Sequence, residues 1–330
     1  MFSTDSKTHW GRPKISLVGS GQIGSILGLL AALKHLGDVF FFDVANGIPN
    51  GKALDLAHFA SVEDVTVDVT GSSEASDMMG SDVVIVTAGV PRKPGMNRED
   101  LLQINSKIIE SVSSNIKKYC PSAFIICTTN PLDTMVYHLQ KKAGIPACRV
   151  VGMAGELDVA RFKYLLSKRL LVSVENINAM ILGSHGDTMV PLLNYTTVSG
   201  ISIVSLIQMG FMTIADYRDI VEQVKNGGHE IVQYLKTGSA YIAPAAATIK
   251  MVEAYLHDKR EIMCCSAYLN GEYGINDLYV GVPVIIGKNG VESILEVPLT
   301  TEESNAFQTS VSTIANLRDS LSDLKQQNYQ

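Results

Sequence analysis

Cysteine is scarce and its pattern excludes a disulfide framework: the five residues, Cys120, Cys127, Cys148, Cys264 and Cys265, form an odd set without a CxxC spacing. A chain of 330 residues has core enough to do without staples, so all five are expected as reduced thiols. No histidine lies at ligand spacing from the vicinal pair Cys264/Cys265, and no metal is expected. Positive charge is also in short supply. Lys plus Arg number 27 against 33 for Asp plus Glu, a net charge of −6, and no basic run could follow a phosphate backbone, which argues against nucleic acid as a partner. Long apolar runs are missing as well: the richest, Ile23 to Leu33, contains Gly and Ser and falls short of the roughly 20 residues a bilayer requires. The first fourteen residues carry Asp5, His9 and Trp10 and read neither as a secretory signal nor as a transit peptide. No membrane association is expected, and the cytoplasm is the expected compartment. Internal repeats, low-complexity tracts and flexible linkers are lacking too.

What is present is apolar content. Hydrophobic residues make up 46% and charged residues 18%, with mean hydropathy +0.16, so the chain can bury a large core and its length suits two domains with a cleft between them. The first part alternates strand and helix. Lys14 to Val18 reads as a strand, Gln22 to Leu36 as a helix, Val39-Phe-Phe-Phe-Asp43 as a second strand, Gly51 to Phe59 as a short helix, and Val65 to Thr70 and Ser81 to Thr87 as strands three and four. A long amphipathic helix from Arg98 to Tyr119, with Asn97 as N-cap, precedes a fifth strand, Ala123 to Thr128. Continuous apolar strands alternating with helices predict a parallel doubly wound sheet of Rossmann type, covered on both faces, over residues 13–154. The rhythm then changes. A helical stretch from Gly155 to Leu170, a strand Ile177 to Gly183, helices over Thr213 to Lys236 and Pro244 to His257, strands Ile262 to Ala267 and Tyr279 to Ile286, and a closing helix Thr301 to Lys325 predict an α+β substrate domain over residues 155–330.

Two constellations carry chemistry. Gly19-Ser20-Gly21-Gln22-Ile23-Gly24 fits GxGxxG where a strand meets a helix, and Asp43 ends the next strand about twenty residues on. The first glycine permits the turn, the second admits a pyrophosphate, the third lets the helix pack closely, and the helix N-terminus offers free N–H groups to the anion. A carboxylate at Asp43 would accept from a ribose diol and repel a 2′-phosphate, which selects NAD over NADP. Thr87, Ala88 and Gly89, and Thr128, Thr129 and Asn130, end strands four and five and should border the same crevice. In the second half, Asp158 and Arg161 stand three residues apart on one helix face, and His185 lies in a turn after a strand. Such an acid–arginine pair is ordinarily solvated and a single histidine ordinarily structural; beside a dinucleotide fold the combination becomes a candidate for acid–base work.

These segments resemble the lactate/malate dehydrogenase family from Pro13 to the last helix. The matching motifs are the glycine loop with Asp43, Val-Thr-Ala-Gly-Val-Pro-Arg-Lys-Pro-Gly-Met-Asn-Arg at 86–98, Thr-Asn-Pro at 129–131, Gly-Met-Ala-Gly-Glu-Leu-Asp-Val-Ala-Arg-Phe at 152–162 and Gly-Ser-His-Gly-Asp at 183–187. Within the family the chain is similar to the lactate dehydrogenase-like malate dehydrogenases. The resemblance implies that His185 is the proton acceptor and Asp158 its orienting carboxylate, and that Arg161 grips the substrate's 1-carboxylate. It implies too that Arg98 polarises the carbonyl oxygen, that Asn130 donates to substrate and that Asn105 lies beside NAD. Arg92 would meet a second carboxylate, as in malate or oxaloacetate, because a guanidinium enclosed over a methyl group loses its hydration without gaining a partner. Apicomplexan-type lactate dehydrogenases lengthen this loop and put an aromatic in the pocket; Val90 to Leu101 has neither change. NAD-dependent interconversion of (S)-malate and oxaloacetate is therefore expected, with L-lactate dehydrogenase as the alternative, in a homotetramer or dimer. Glu156 stands where the family more often has an apolar residue, and Ser184 where it more often has glycine. Facing the cleft, Glu156 would repel dicarboxylates or pair with a nearby arginine; otherwise it faces solvent or a subunit boundary.

Overall fold

A computed structural model describes residues 11–91 and 98–327, with side-chain surroundings given for 11–91 and 100–321. The first ten residues, read above for a leader, lie outside the described residues, as does the predicted N-cap Asn97. In chain order the parallel part comprises β1 (Lys14–Val18), α1 (Gln22–Leu33), β2 (Asp38–Phe42), α2 (Ile48–Val62), β3 (Val69–Ser72), β4 (Val83–Val86), α3 (Arg98–Tyr119), β5 (Phe124–Cys127), α4 (Leu132–Ala143) and β6 (Val150–Gly152). Strand order is β3-β2-β1-β4-β5-β6 with every pairing parallel, so the order reverses between β1 and β4. Such a switch point opens a crevice at the carboxyl ends of the strands.

The apolar strands sort alternate side chains to opposite faces. Ile15, Leu17, Val39, Phe41 and Ile85 join a core with Leu27 and Ala31 of α1, while Val18, Phe40, Phe42, Val84 and Val86 join another with Leu102 and Ile109 of α3 and Met135 and Leu139 of α4. Period-two alternation with both faces apolar is what a doubly covered sheet requires.

The second part begins with α5 (Gly155–Leu170) and continues through short strands β7 (Ile177–Asn178), β8 (Ile181–Leu182), β9 (Val190–Pro191), β10 (Thr197–Val198) and β11 (Ile201–Ser202). It then runs through α6 (Ile203–Gln208), α7 (Ile214–Leu235), α8 (Ile242–Leu256), β12 (Glu261–Asn270), β13 (Asn276–Gly287), β14 (Gly290–Ile294) and α9 (Thr301–Gln327). Strands β12 to β14 are antiparallel and extend the first sheet to nine strands, with β12 joining β6 at Ser266 and Gly152. A Cβ on Gly152 would sit 2.9 Å from Ser266 Cβ, so glycine is what lets the two strands meet. Helices α5 and α7 pack through Phe162, Leu166, Tyr217, Ile220 and Val224.

Several elements depart from the sequence reading. Helix α1 ends at Leu33 rather than Leu36, since His35 takes a left-handed φ of 52°. The third strand starts at Val69 rather than Val65, because Asp64 takes a left-handed φ of 54° and Asp68 gives its N–H to Asp38 Oδ1 before the ladder with β2 begins. Helix α2 begins at Ile48, with Pro49 in its first turn, three residues ahead of Gly51. The run Ile177 to Gly183 is two strands in different sheets, β7 pairing with β10 and β8 with β9. No helix among the described residues is long and apolar enough to cross a membrane.

Candidate active site

The glycine loop between β1 and α1 is a backbone construction. Gly19 has φ +105°, and a Cβ there would lie 2.6 Å from Thr87 Oγ1 and 2.9 Å from Ala88 N. A Cβ on Gly24 would run into the Gly19 carbonyl. At Gly21 the same test meets nothing within 4 Å, so the room beside that residue is open to a ligand. Ser20 Oγ is buried and has no hydrogen-bond partner among the described residues, and α1 starts without a side-chain cap. Free helix N–H groups, an orphaned hydroxyl and an open cradle fit a pyrophosphate. Asp43 Oδ2 accepts the Ser20 N–H at 2.8 Å and Oδ1 the Ala45 N–H at 3.0 Å, which fixes the carboxylate at the end of β2 with lone pairs left for a ribose diol.

The ends of β4 and β5 are tied across the crevice. Thr87 Oγ1 donates toward Gly19 O at 3.0 Å and Thr129 Oγ1 to Ala88 O at 2.7 Å; Thr128 Oγ1 donates to Val86 O at 3.1 Å. Asn105, buried on α3, accepts the Val90 N–H through Oδ1 at 2.9 Å and donates through Nδ2 to Asn130 O at 2.7 Å. Its amide thus staples two loops together, which places it at the crevice floor. Asn130 itself is exposed at the lip. Gln22 reaches the loop between α7 and α8, where a Cβ on Gly238 would lie 3.8 Å from Gln22 Oε1, so the second half adjoins the cradle here.

Opposite the crevice, α5 lies hard against β12: a Cβ on Gly155 would sit 2.7 Å from Cys264 Cβ. That approach sinks Asp158, one turn into α5, to 1% exposure beneath the turn 183–188. Asp158 Oδ2 lies 2.8 Å from His185 Nδ1, and Asp158 Oδ1 lies 3.2 Å from an Arg161 guanidinium nitrogen. An ionised carboxylate can only accept, so Nδ1 carries the hydrogen and Nε2 is left to take a proton. Burial pulls the imidazolium down in pKa, but the Asp158 carboxylate and its hydrogen bond more than offset this; Arg161 opposes them and Asp133 supports them, and the group stands above its ordinary value. Arg161 extends past Gly227 and Gly228 of α7, where added Cβ atoms would stand 3.5 Å from its Cδ and 3.9 Å from its Nη2. The two glycines leave room beside the guanidinium. Arg92 lies outside the described residues, and of Arg98 only the backbone, at the start of α3, is described.

The sequence reading missed Asp133. In the first turn of α4 an acid reads as an ordinary complement to the helix dipole. Here it is buried, accepts Ser266 Oγ–H at 2.7 Å and receives the His185 backbone N–H at 3.2 Å, so it ties α4, β12 and the histidine turn at one point. Burial pushes its carboxyl up in pKa while these two donors pull it back. Its position two residues after Pro131, next to the Thr-Asn-Pro motif, was the available signal. Glu156 faces neither the cleft nor an arginine: its Oε1 meets Lys250 Nζ of α8 at 2.6 Å, and Lys250 also reaches Glu261 of β12 at 3.1 Å.

The chain resembles known proteins along nearly its whole length. Residues 13–152 match the model of the lactate/malate dehydrogenase NAD binding domain, and residues 155–326 that of the alpha/beta C-terminal domain. A malate dehydrogenase of Cryptosporidium parvum is 48% identical with TM-score 0.93, over 94% of this chain and 99% of that one. A lactate dehydrogenase of the same organism, complexed with lactic acid and nicotinamide adenine dinucleotide, is 44% identical with TM-score 0.92, over 94% and 98%. A malate dehydrogenase of Plasmodium falciparum is 41% identical with TM-score 0.92, over 94% and 99%.

Proposed function

The chain belongs to the lactate/malate dehydrogenase family of NAD-dependent oxidoreductases, and from that premise we propose that it is a malate dehydrogenase, interconverting (S)-malate and oxaloacetate. The observation that carries the reaction is a single buried carboxylate, Asp158, shared between the His185 imidazole and the Arg161 guanidinium. In the oxidative direction His185 Nε2 takes the hydroxyl proton of the substrate, and Asp158 stabilises the imidazolium that results. Arg161 holds the 1-carboxylate by its planar fork and so orients the reacting carbon. NAD, when bound, supplies the hydride acceptor. Gly19, Ser20, Gly21, Gln22, Ile23 and Gly24 would hold its pyrophosphate and Asp43 its ribose, with Thr87, Ala88, Gly89, Asn105, Thr128, Thr129 and Asn130 along the crevice. Arg98 would stabilise charge on the substrate oxygen, and Asn130 would donate to substrate.

Solved relatives act under both names, so the choice of malate rests on Arg92 in the loop between β4 and α3. A permanent cation there favours a substrate with a second carboxylate over one with a methyl group, by about a thousandfold or more if several kcal/mol of unpaired charge is at stake. Purified protein with NADH should therefore consume oxaloacetate far faster than pyruvate, and Arg92→Gln should raise the pyruvate share; equal or reversed rates in the unaltered protein would make it a lactate dehydrogenase. We read the assembly as a tetramer of two-fold-related subunits, to be checked by sizing in solution.

A further inference from the structure

The turn 183–188 is held from two sides, and only one of them is charged. Asp133 receives the His185 N–H; the neighbouring Ser184 N–H goes to Ser310 Oγ on α9 at 2.7 Å. Ser310 is wholly buried. Its Oγ lies 3.2 Å from Thr188 Oγ1, which lies 2.9 Å from Ser184 Oγ, so three hydroxyls from α9 and both ends of the turn form one chain around the histidine. Fit is tight: Gly183 has φ +88°, and a Cβ on it would meet Ser310 Oγ at 2.5 Å. Other hydroxyls of α9 behave differently. Thr309, Ser312, Thr313 and Ser320 each donate to the carbonyl four residues back in their own helix. Ser310 instead joins the turn. Its side chain therefore serves the loop, and the lateral position of that loop sets where the imidazole lies over Asp158.

We propose that Ser310 is a positioning residue for His185, anchoring the 183–188 turn through the Ser184 N–H and the hydroxyls of Thr188 and Ser184 so that the imidazole stays aligned with Asp158. The proposal rests on the reading of His185 as the proton acceptor. Without the Ser310 hydroxyl, a half-buried N–H loses its acceptor and the turn gains freedom at the residue next to the histidine. Displacement of a reacting group by about 1 Å can cost on the order of a hundredfold in rate.

The test compares Ser310→Ala and Thr188→Val with the unaltered protein in three measurements: NMR titration of His185 in the protein without cofactor, kcat and KM for oxaloacetate with NADH, and Tm. The His185 resonance is assigned by its loss in His185→Asn. Ser310→Ala is expected to lower kcat about tenfold or more, leave KM nearly unchanged, and move the His185 midpoint to lower pH as its hold on Asp158 loosens. Thr188→Val should move the same quantities in the same direction by less. A Ser310→Ala protein with normal kcat and normal His185 titration, whatever its Tm, makes Ser310 a packing residue and overturns the proposal; if that variant does not fold, unchanged values in Thr188→Val overturn it equally. Should His185→Asn keep full turnover, the proton-acceptor reading fails on its own evidence, and the positioning role falls with it.

Discussion

The proposed cofactor cradle and the proposed proton-transfer site are built on opposite plans. The cradle is backbone: Gly19, Gly21 and Gly24 lie within six consecutive residues, and what they contribute is φ, close approach and empty space. The proton-transfer site is side chain: Asp133, Asp158, Arg161, His185 and Ser266 come from α4, α5, a turn and β12, and their work depends on charges held out of water. A local backbone device tolerates change in whatever it does not touch. A charge network assembled from remote segments has no such insulation, because each member sets the pKa or aim of another.

If that contrast holds, the largest single loss falls on the network. His185→Asn keeps a similar volume and removes the proton acceptor, and oxaloacetate reduction should drop about a thousandfold, with NADH affinity measured by fluorescence unchanged. Strong residual turnover would mean that the base lies elsewhere. In the cradle, two glycines separate folding from binding. Gly19→Ala puts a Cβ 2.6 Å from Thr87 Oγ1 at a positive φ and should cost about 2–5 kcal/mol in thermal unfolding. Gly21→Ala meets only open space, so Tm should hold while NADH binding weakens about tenfold or more, since the added methyl enters the cradle. Equal effects of the two on Tm would remove the distinction.

The network also makes a pH prediction. Burial and Arg161 lower the His185 pKa, Asp158 raises it more strongly, and Asp133 adds a smaller elevation to that of Asp158. In Asp133→Asn the amide oxygen can still receive the His185 N–H, and the NH2 can meet Ser266 Oγ with its hydroxyl turned to accept, so the geometry is kept and the charge lost. In the proposed mechanism, reduction of oxaloacetate needs the protonated imidazole. Lowering its pKa therefore moves the alkaline fall in rate to lower pH, with a loss of about a fewfold above the midpoint and little change below it. A pH profile that superposes on that of the unaltered protein would assign Asp133 to folding alone.

The same contrast explains what could be read from the sequence. Strand, glycine turn, helix and Asp43 follow one another within about thirty residues, and their periodicity and spacing are local properties, so the doubly wound sheet was legible. Asp158, Arg161 and His185 were legible through motif resemblance, since nothing in their spacing says that a turn will lie over a helix. Asp133 and Ser310 were hidden: a helix-start acid and a serine in an amphipathic helix both have ordinary readings, and only tertiary contact with the turn distinguishes them. The run Ile177 to Gly183 looked like one strand because apolar content reports burial and not the partner; the chain changes sheets within it.

Glu156 gives the smallest expected effect and the finest check on where the network ends. It stands in the first turn of α5, two residues before Asp158, yet its side chain turns to Lys250 and, through it, to Glu261, on the side of α8 and β12. Glu156 is 13% exposed and Lys250 42%, so water screens the pair and its contribution to stability is limited to about 1 kcal/mol. Lys250→Met would leave Glu156 and Glu261 facing each other without their shared cation, and Tm should fall slightly, by less in high salt than in low salt because the remaining repulsion is screened. The kcat/KM for oxaloacetate should not change, since neither carboxylate touches His185 or Arg161. A Lys250→Met protein with altered substrate preference and normal Tm would extend the charge network through Glu156 to the start of α5, and the boundary drawn here between catalytic and structural ion pairs would have to move with it.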